Sequence, residues 1–352
     1  MNNIEASVPV REFRFEFTGN AREYFGIWIV NVLLTVLTLG IYSAWAKVRR
    51  KRYFYGHTRL HGSSFSYLAD PRMILKGWGI AMVVFVVYSI VARIAPGTKP
   101  LFFAAFVLVL PWVIVRAAFF NARNTAYRNI RLNFDKNYRA AVKVYVGLLL
   151  LVPFTLGILY PYYAYRQKKF ILDHSGYGGS RFALDVGAGK FYGVYFRAMG
   201  MFIAGLLLMA MLAALLGIAG MNAAEFGKVL KAGMVTSLLL VMVATYFLVM
   251  VYLQTAVANL TWNNVTIAGN RFHSTLHFGR MLWIFFSNLV VIVSTLGLLA
   301  PWARIRATRY RFANLTMCAS SDLDDFIART QETQTGAAGE ELSEVFGVEI
   351  GL

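Results

Sequence analysis

The sequence predicts an all-α polytopic membrane protein: a helical bundle with internal repeats and short β-like segments in its cytoplasmic loops. Three observations support this class: the composition, a series of long charge-free windows, and a motif that occurs three times. Of the 352 residues, 58% are hydrophobic and 15% are charged, and the mean hydropathy is +0.55. Soluble domains are nearer half apolar and a quarter charged, so the composition disfavours an ordinary soluble enzyme.

The predicted helices follow from seven windows that contain no Asp, Glu, Lys or Arg. A helix that spans the hydrocarbon core needs about 20 apolar residues. The second and third windows are shorter, but the cations at their ends can snorkel and extend the usable span. Turns at residues 93–99 and 217–231 join two pairs of windows into helical hairpins. The seven windows are residues 24–46, 77–92, 100–115, 144–165, 198–224, 232–270 and 281–303.

Short β-like segments are predicted in the polar, basic loops between the other windows. Aromatic or aliphatic residues alternate with polar ones in residues 13–17, 130–134 and 272–278. A period of two is typical of a half-buried strand. We expect these segments to form a small strand-rich layer on the cytoplasmic face.

A motif of twelve residues occurs three times, beginning at Thr38, Thr155 and Thr295. Each copy starts with Thr-Leu-Gly, has an Arg eleven residues after the Thr, and has an aromatic residue four positions later. The copies predict about two and a half internal repeats, over residues 12–123, 124–262 and 263–318. We expect residues 1–320 to form one integral membrane domain. Residues 321–352 carry eight acids and one Arg, which predicts an acidic, partly disordered tail.

The motif also points to a known family. Phe-x-Phe-x-Gly at residues 15–19, followed by Thr-Leu-Gly and Trp-Ala-x-x-Arg, resembles the YjgN-like bacterial inner-membrane proteins, which are defined by a domain of unknown function. The resemblance covers residues 12–318 and is closest in the first copy, because the second copy departs from the pattern near Tyr163. It implies a multi-pass protein of the bacterial inner (cytoplasmic) membrane, and it implies no catalytic residues.

The charge distribution leaves two topologies open. The chain has 35 Lys and Arg against 17 Asp and Glu, a net charge of +18. If all seven windows span, these cations divide 13 to 22 between the two sides; if the three motif segments enter and return on one face, they divide 31 to 4. Cytoplasmic loops carry an excess of cations, which favours the second arrangement. Windows of 22 and 23 residues are normal spanning lengths, which favours the first.

A polar site is one interpretation of the uncharged polar residues inside the windows. Asn31 and Asn288 lie seven residues before the Thr of their motifs. Unpaired amides are costly in hydrocarbon, so these side chains should face protein or water. The candidate binding residues are therefore Asn31, Thr38, Thr155, Asn288 and Thr295. Hydrogen bonds that merely hold helices together explain the same residues.

The motif also contains structural and basic candidates. Glycine allows a helix to break, and Trp is typical of the membrane interface, so the structural candidates are Gly40, Gly157, Gly297, Trp45 and Trp302. The cations at the segment ends suit either anionic lipid headgroups or a vestibule for anionic solutes. These basic candidates are Arg49, Arg166, Arg304 and Arg306.

The sequence predicts no catalytic residues, no metal and no cofactor. It contains none of the common nucleophile, phosphate-loop or zinc-protease motifs, and its one cysteine, Cys318, excludes a disulfide framework. We expect a non-enzyme whose partner is a bilayer with anionic headgroups, with no nucleic acid and no identified protein partner. The leading hypothesis is transport or a channel-like role for a small solute. The many cations would favour an anionic one. The alternative is a non-catalytic membrane scaffold that binds lipid headgroups or a protein partner.

Overall fold

Ten strands form a closed antiparallel barrel in the computed structural model, which describes residues 11–221 and 227–319. Strands that are neighbours in sequence pair with each other, and the first strand closes the barrel by pairing with the last. In chain order the strands are β1 (Arg11–Phe17), β2 (Thr58–Leu60), β3 (Ser63–Tyr67), β4 (Thr125–Tyr127), β5 (Ile130–Phe134), β6 (Ser175–Tyr177), β7 (Ser180–Leu184), β8 (Val265–Ile267), β9 (Asn270–Ser274) and β10 (Leu315–Ala319).

The helices of the described ranges form five helical hairpins, each inserted between two strands. A 3₁₀ turn at Pro96–Thr98 joins the helices of one hairpin, and a π-helical segment at Lys143–Leu148 interrupts another. The helices are α1 (Ala21–Leu37), α2 (Ser43–Gly56), α3 (Pro71–Ile94), α4 (Lys99–Arg123), α5 (Tyr138–Val142), α6 (Leu149–Phe154), α7 (Tyr160–Asp173), α8 (Ala188–Met221), α9 (Gly227–Trp262), α10 (Phe278–Ser294) and α11 (Ala300–Ala313). We call α1–α2, α5–α7 and α10–α11 the short hairpins, and α3–α4 and α8–α9 the long hairpins.

All five helical hairpins leave the barrel at the same end. Phe17 at the end of β1 lies opposite Thr58 at the start of β2, and the strands that flank the other four hairpins meet in the same way. Two-residue turns join the strands at the opposite end. In the turn at His61–Gly62 both residues have positive φ, as a type I′ turn requires.

The bases of the five hairpins have one geometry. Three residues lead from each strand into its hairpin, and one or two residues lead out. The N–H of the first of these residues donates to the carbonyl of the last, as from Thr18 to His57 at 2.9 Å. The equivalent bonds, at 2.8–3.0 Å, run from Leu68 to Asn124, from Asp135 to His174, from Asp185 to Asn264 and from Thr275 to Asn314.

The interior of the barrel is filled by side chains. Alternate residues of each strand point inward, so β1 buries Phe15 and Phe17 while Arg14 and Glu16 face outward. Aromatic and aliphatic side chains from other strands pack on Phe15, and helix residues such as Phe191 belong to the same core. Burying one such side chain stabilises a fold by about 1.5–3 kcal/mol. The buried strand residues of this core are Phe15, Leu60, Tyr127, Ile130, Tyr177, Leu184, Val265, Ile267, Phe272, Leu315 and Met317.

The predicted all-α helical bundle is wrong, because a closed ten-stranded barrel organises the chain. The predicted segments 13–17, 130–134 and 272–278 overlap β1, β5 and β9, but the structure joins them and seven further strands into one barrel rather than isolated loop segments. The long helices also keep most of their apolar surface exposed, unlike helices inside a buried bundle. In the most apolar window of α3 no residue is buried.

The path of the chain relative to the barrel is the same for all three motif segments. Each of the three motif segments forms a short hairpin that begins and ends at the same end of the barrel. Four helices, all in the long hairpins, are long and apolar enough to cross a membrane: α3, α4, α8 and α9. The predicted acidic tail, residues 321–352, lies outside the described residues.

Candidate functional site

The Thr-Leu-Gly sequence forms the tip of each short hairpin. Leu39 and Gly40 both have positive φ, at 48° and 94°, and the N–H of Gly40 donates to the carbonyl of Thr35 at 2.8 Å, which ends α1. The same turn occurs at Leu156–Gly157 and Leu296–Gly297. The three leucine side chains are 93–95% exposed, so each tip presents an isolated apolar residue.

The motif threonines hold the two sides of their own hairpins together. The Thr38 hydroxyl donates to the carbonyl of Leu34 at 2.7 Å and accepts from the N–H of Tyr42 at 2.9 Å. Thr295 makes the equivalent pair of bonds. Thr155 donates to the carbonyl of Val152, three residues earlier, at 3.0 Å and accepts from the N–H of Leu159 at 3.2 Å. Each of these hydroxyls is therefore engaged with backbone across the tip.

The two asparagines contact the motif arginine of the same hairpin. Asn31 and Asn288 are both buried. Arg49 donates to Asn31 Oδ1 at 3.5 Å, and Arg306 donates to Asn288 Oδ1 at 3.2 Å. Asn288 also donates to the carbonyl of Ala303 at 3.0 Å. The middle copy has Leu148 at this place, within its π-helical segment.

The structure brings only some of the five candidate polar residues near one another. The hairpins α1–α2 and α10–α11 are neighbours because β1 pairs with β10, and Arg304 of α11 donates to the Tyr24 hydroxyl of α1 at 3.3 Å. The hairpin that carries Thr155 is separated from both by a long hairpin in the order around the barrel. A shared solute site made by all five residues stays a prediction.

The two motif tryptophans lie at the surface of the short hairpins. Trp45 is half-buried against the cluster that contains Val48 and Tyr67. Trp302 is 37% exposed, and the guanidinium of Arg306 lies 5.2 Å from its ring centroid. Such a distance allows a cation–π contact, which fixes the arginine beside the indole.

A second basic position in each short hairpin belongs to the basic clusters at the segment ends, and its backbone contact is visible only in the structure. Arg52 of α2 donates to the carbonyl of Ala69, at the base of the next hairpin, at 3.2 Å. Arg309 of α11 donates to the carbonyl of Gly19 at 2.9 Å, and Lys169 of α7 donates to that of Leu184 at 3.1 Å. All three lie fourteen residues after the motif Thr, and this constant spacing was the available signal.

The histidines at the ends of α2 and α7 have structural contacts. His57 Nδ1 lies 2.8 Å from the carbonyl oxygen of Tyr53, and His174 Nδ1 lies 2.9 Å from that of Phe170. Burial raises the pKa of Tyr53 to about 12, so its phenol stays protonated and donates to the carbonyl of Asn20 at 2.9 Å. Among the described residues, no group of three His, Cys, Asp or Glu could hold a metal ion.

Comparison with known proteins decides the family. The sequence matches the family described as a bacterial protein of unknown function (DUF898) over residues 12–345. The chain belongs to this family. The family expected from the motif is confirmed, since three curated relatives carry the name inner membrane protein YjgN.

The three relatives align with different shares of this chain. The protein from Salmonella typhimurium LT2 is 24% identical over 348 residues, which are 87% of this chain and 88% of the relative. That from Escherichia coli O157:H7 is 27% identical over 157 residues, 44% of this chain and 39% of the relative. That from Escherichia coli K12 is 49% identical over 63 residues, 18% and 15% of the two chains. No solved structure matches.

These relatives and the four long apolar helices give the location. This DUF898 member is a multi-pass protein of the bacterial inner membrane, as the resemblance implied. The family has no established function, and no catalytic family is indicated.

Proposed function

We propose that this protein is a non-catalytic membrane scaffold that binds anionic phospholipid headgroups at the base of its short hairpins. The observation that carries the proposal is the polarity of these hairpins. Their tips expose Leu39, Leu156 and Leu296 almost completely, while the helices that return from the tips are basic. An exposed apolar tip above a basic base suits a segment that dips into one leaflet and holds headgroups at the surface.

The lengths of the hairpins support insertion to about half the bilayer. Each motif arginine, such as Arg49, follows its tip leucine by ten residues. The helix from Ser43 to Arg49 covers about 9 Å, the turn at the tip adds to this length, and the hydrocarbon of one leaflet is about half of a ~30 Å core. A tip inserted within one leaflet therefore keeps Arg49, Arg166 and Arg306 near the level of the headgroups.

The charge division supports a cytoplasmic barrel. With the three motif segments returning to the barrel side, only Arg93, Lys99, Lys228 and Lys231 belong to the opposite side, and 31 cations belong to the barrel side. Such an excess is typical of the cytoplasmic face, where anionic lipids attract basic segments. We also interpret the predicted repeats 12–123 and 124–262 as one short and one long hairpin each, with a third short hairpin in 263–318.

The packed interior of the barrel favours a scaffold over transport of a small solute. No described feature favours a solute pathway through the barrel, because aromatic and aliphatic side chains such as Phe15 and Tyr127 fill it. Transport of a small solute stays a prediction.

The composition of the lipid shell tests the proposal. The protein is extracted from membranes that contain phosphatidylethanolamine and phosphatidylglycerol, but no cardiolipin, with a polymer that retains neighbouring lipids. We expect the retained lipids to be enriched in phosphatidylglycerol about twofold or more over the whole membrane. Replacing Arg49, Arg166 and Arg306 together by Gln should remove most of this enrichment, because three cations at headgroup level are lost.

A matched variant controls for net charge. Arg131, Arg181 and Arg271 are exposed on the outside of the barrel, so replacing them by Gln removes the same charge away from the hairpin bases. This control should keep the enrichment. A lipid shell with the same composition as the membrane, or equal losses in both triple variants, would contradict the proposal.

A further inference from the structure

We propose that the cavity between the first and last short hairpins is a discrete site for a phospholipid that carries two phosphates. The inference rests on the proposed headgroup binding and names one lipid class and one place for it. The cavity has a volume of about 430 Å³ and lies where α11 and the start of α10 meet the start of α1. It is open to the surface at the base of the hairpins, where headgroups would lie.

The lining of this cavity is basic without any compensating acid. Arg280 of α10 and Arg306 and Arg309 of α11 all line it, and no Asp or Glu does. Asn20 and several apolar and aromatic side chains, among them Ile284 and Trp302, form the rest of the wall. Three guanidiniums without a carboxylate strongly favour an anionic ligand, because arginine forks bind phosphate oxygens in pairs.

Two of the three arginines are already held in place. Arg306 donates to Ser287 Oγ at 2.6 Å and to Asn288 Oδ1 at 3.2 Å, and its guanidinium lies beside Trp302. Arg309 donates to the carbonyl of Gly19 at 2.9 Å. All of these partners are neutral, so they orient the cations without cancelling their charge. A ligand therefore loses little entropy in ordering them.

Arg280 is the cation that makes the site specific. Within the part of the chain that the structure describes, no hydrogen bond or ion pair is formed by Arg280, and its side chain is exposed. Arg306 and Arg309 are one turn apart on α11, about 4.5 Å along its axis, and one phosphate can bridge them. Arg280 reaches the cavity from α10 and would then bind a second phosphate. A lipid with one phosphate leaves more of the positive charge uncompensated.

The neighbouring surface offers room for acyl chains. The side of α10 beyond the cavity exposes a series of apolar residues that continues towards the tip of the hairpin. At about 1.5 Å per residue, the helix extends about 20 Å from Arg280 to Val293. These exposed residues are Trp283, Phe286, Leu289, Val290 and Val293.

The first short hairpin contains the counterpart that lacks this site. Fifteen residues before the motif Thr, Arg280 is replaced by Glu23. Glu23 accepts from the Tyr53 hydroxyl at 3.2 Å and lies 3.7 Å from His57 Nε2. The motif arginine of that hairpin, Arg49, keeps the contact with its asparagine. The first hairpin therefore has an acid where the last has Arg280, and its motif arginine lies outside the cavity.

Native mass spectrometry of the purified full chain tests the proposal. Cardiolipin, which has two phosphates, and phosphatidylglycerol, which has one, are titrated at equal phosphate concentration. We expect one cardiolipin to bind at least tenfold more tightly than phosphatidylglycerol. Arg280→Gln should weaken cardiolipin binding about tenfold, because a charge-assisted contact is lost, and Arg306→Gln should weaken it similarly. Arg131→Gln, which removes a cation from the outside of the barrel, should leave it within twofold.

Further arms separate the outcomes. The melting temperature of Arg280→Gln should equal that of the unmodified protein, because Arg280 has no described partner to lose. Inorganic pyrophosphate should bind far more weakly than cardiolipin, since it has no acyl chains; equal binding would point to a free anion and overturn the lipid assignment. Equal affinity for the two lipids, or full cardiolipin binding by Arg280→Gln, would also overturn it. Loss of the phosphatidylglycerol shell with an intact cardiolipin site would contradict only the broader proposed function.

Discussion

Closure of the barrel depends on the pairing of β1 with β10, and one substitution tests it directly. Glu12 on β1 lies opposite Cys318 on β10. Cys318 is the sole cysteine of the sequence. Replacing Glu12 by Cys therefore creates one possible intramolecular disulfide, between the first and last strands. If these strands are paired, mild oxidation should form it.

The expected geometry and energy follow from the register. Directly opposed residues of an antiparallel pair have Cα atoms about 4.5–5.5 Å apart, and disulfides need about 4.4–6.8 Å. The bond would close a loop of roughly 306 residues, for which the chain-entropy account gives roughly 5–6 kcal/mol of stabilisation as an upper figure. Burial and the Glu12 carboxylate raise the pKa of the Cys318 thiol, so the substitution also removes one obstacle to forming the reactive thiolate.

The assay separates linked from unlinked ends. A protease site is inserted at Thr98, in the turn between α3 and α4. After oxidation of the Glu12→Cys protein and cleavage, the two fragments should migrate as one species on a non-reducing gel and separate on reduction. The linked protein should also unfold at a higher temperature than its reduced form.

A neighbouring substitution provides the control. Arg14 faces the same side of β1 but lies opposite Thr316, two residues from Cys318. Its Cα would be about 7–8 Å from that of Cys318, beyond the usual disulfide range. Arg14→Cys should therefore cross-link much less. Equal cross-linking of the two variants, or none in Glu12→Cys, would refute the register and with it the closed barrel.

Three further predictions test helix packing, the orientation in the membrane and the tip of a short hairpin. Gly205→Val should lower the melting temperature, since a Cβ there would lie 2.9 Å from the Cβ of Thr245 and closer to its hydroxyl and methyl groups. Such overpacking costs about 1–3 kcal/mol. Adding Thr245→Ala should restore part of the lost stability. In a cysteine-free background, an impermeant thiol reagent should label Lys99→Cys but not Arg59→Cys in intact cells, and the reverse would contradict a cytoplasmic barrel. Gly297→Ala should cost about 1–2 kcal/mol on thermal unfolding because φ is +89° there; an unchanged melting temperature would count against the tip geometry.

The long helices were predictable because their signal is long and strong. Residues 77–92 and 100–115 lie inside α3 and α4, as expected for uninterrupted apolar segments. The window 232–270 is longer than the helix it predicts. The helix α9 ends at Trp262, but the window continues through the strand Val265–Ile267. This strand is apolar and uncharged because it fills the barrel, so the absence of charge does not distinguish it from the helix.

The barrel itself was hidden by the length of its strands. Four of the ten strands have three residues, and three residues show too little alternation to be distinguished from a loop. The segment 130–134 was predicted because β5 has five residues with two full alternations. Closure also depends on pairing between residues about 300 positions apart, such as Phe13 and Met317, which no local pattern contains.

The sequence predicted which residues matter in the short hairpins better than it predicted their hydrogen-bond partners. The motif indicated a helix break at Gly40, and the chain does turn there with φ of 94°. The threonines were grouped with Asn31 and Asn288 in one candidate polar site. The backbone of the same hairpin supplies a partner to Thr38 at 2.7 Å, and the sequence alone does not distinguish a local partner from a distant one.

The repeated tips and the repeated bases of the hairpins answer different requirements. The bases must be equal in all five hairpins, since each one bridges two adjacent strands of a single barrel. The last residue of each base is accordingly His or Asn, whose side chain bonds the carbonyl four residues earlier, as His57 and Asn124 do at 2.8 and 2.7 Å. The tips face no such constraint, so the hairpins can differ in length without changing the barrel. Thr-Leu-Gly therefore identifies the three short hairpins, whereas the terminal His or Asn identifies all five, and only the second signal reports the barrel.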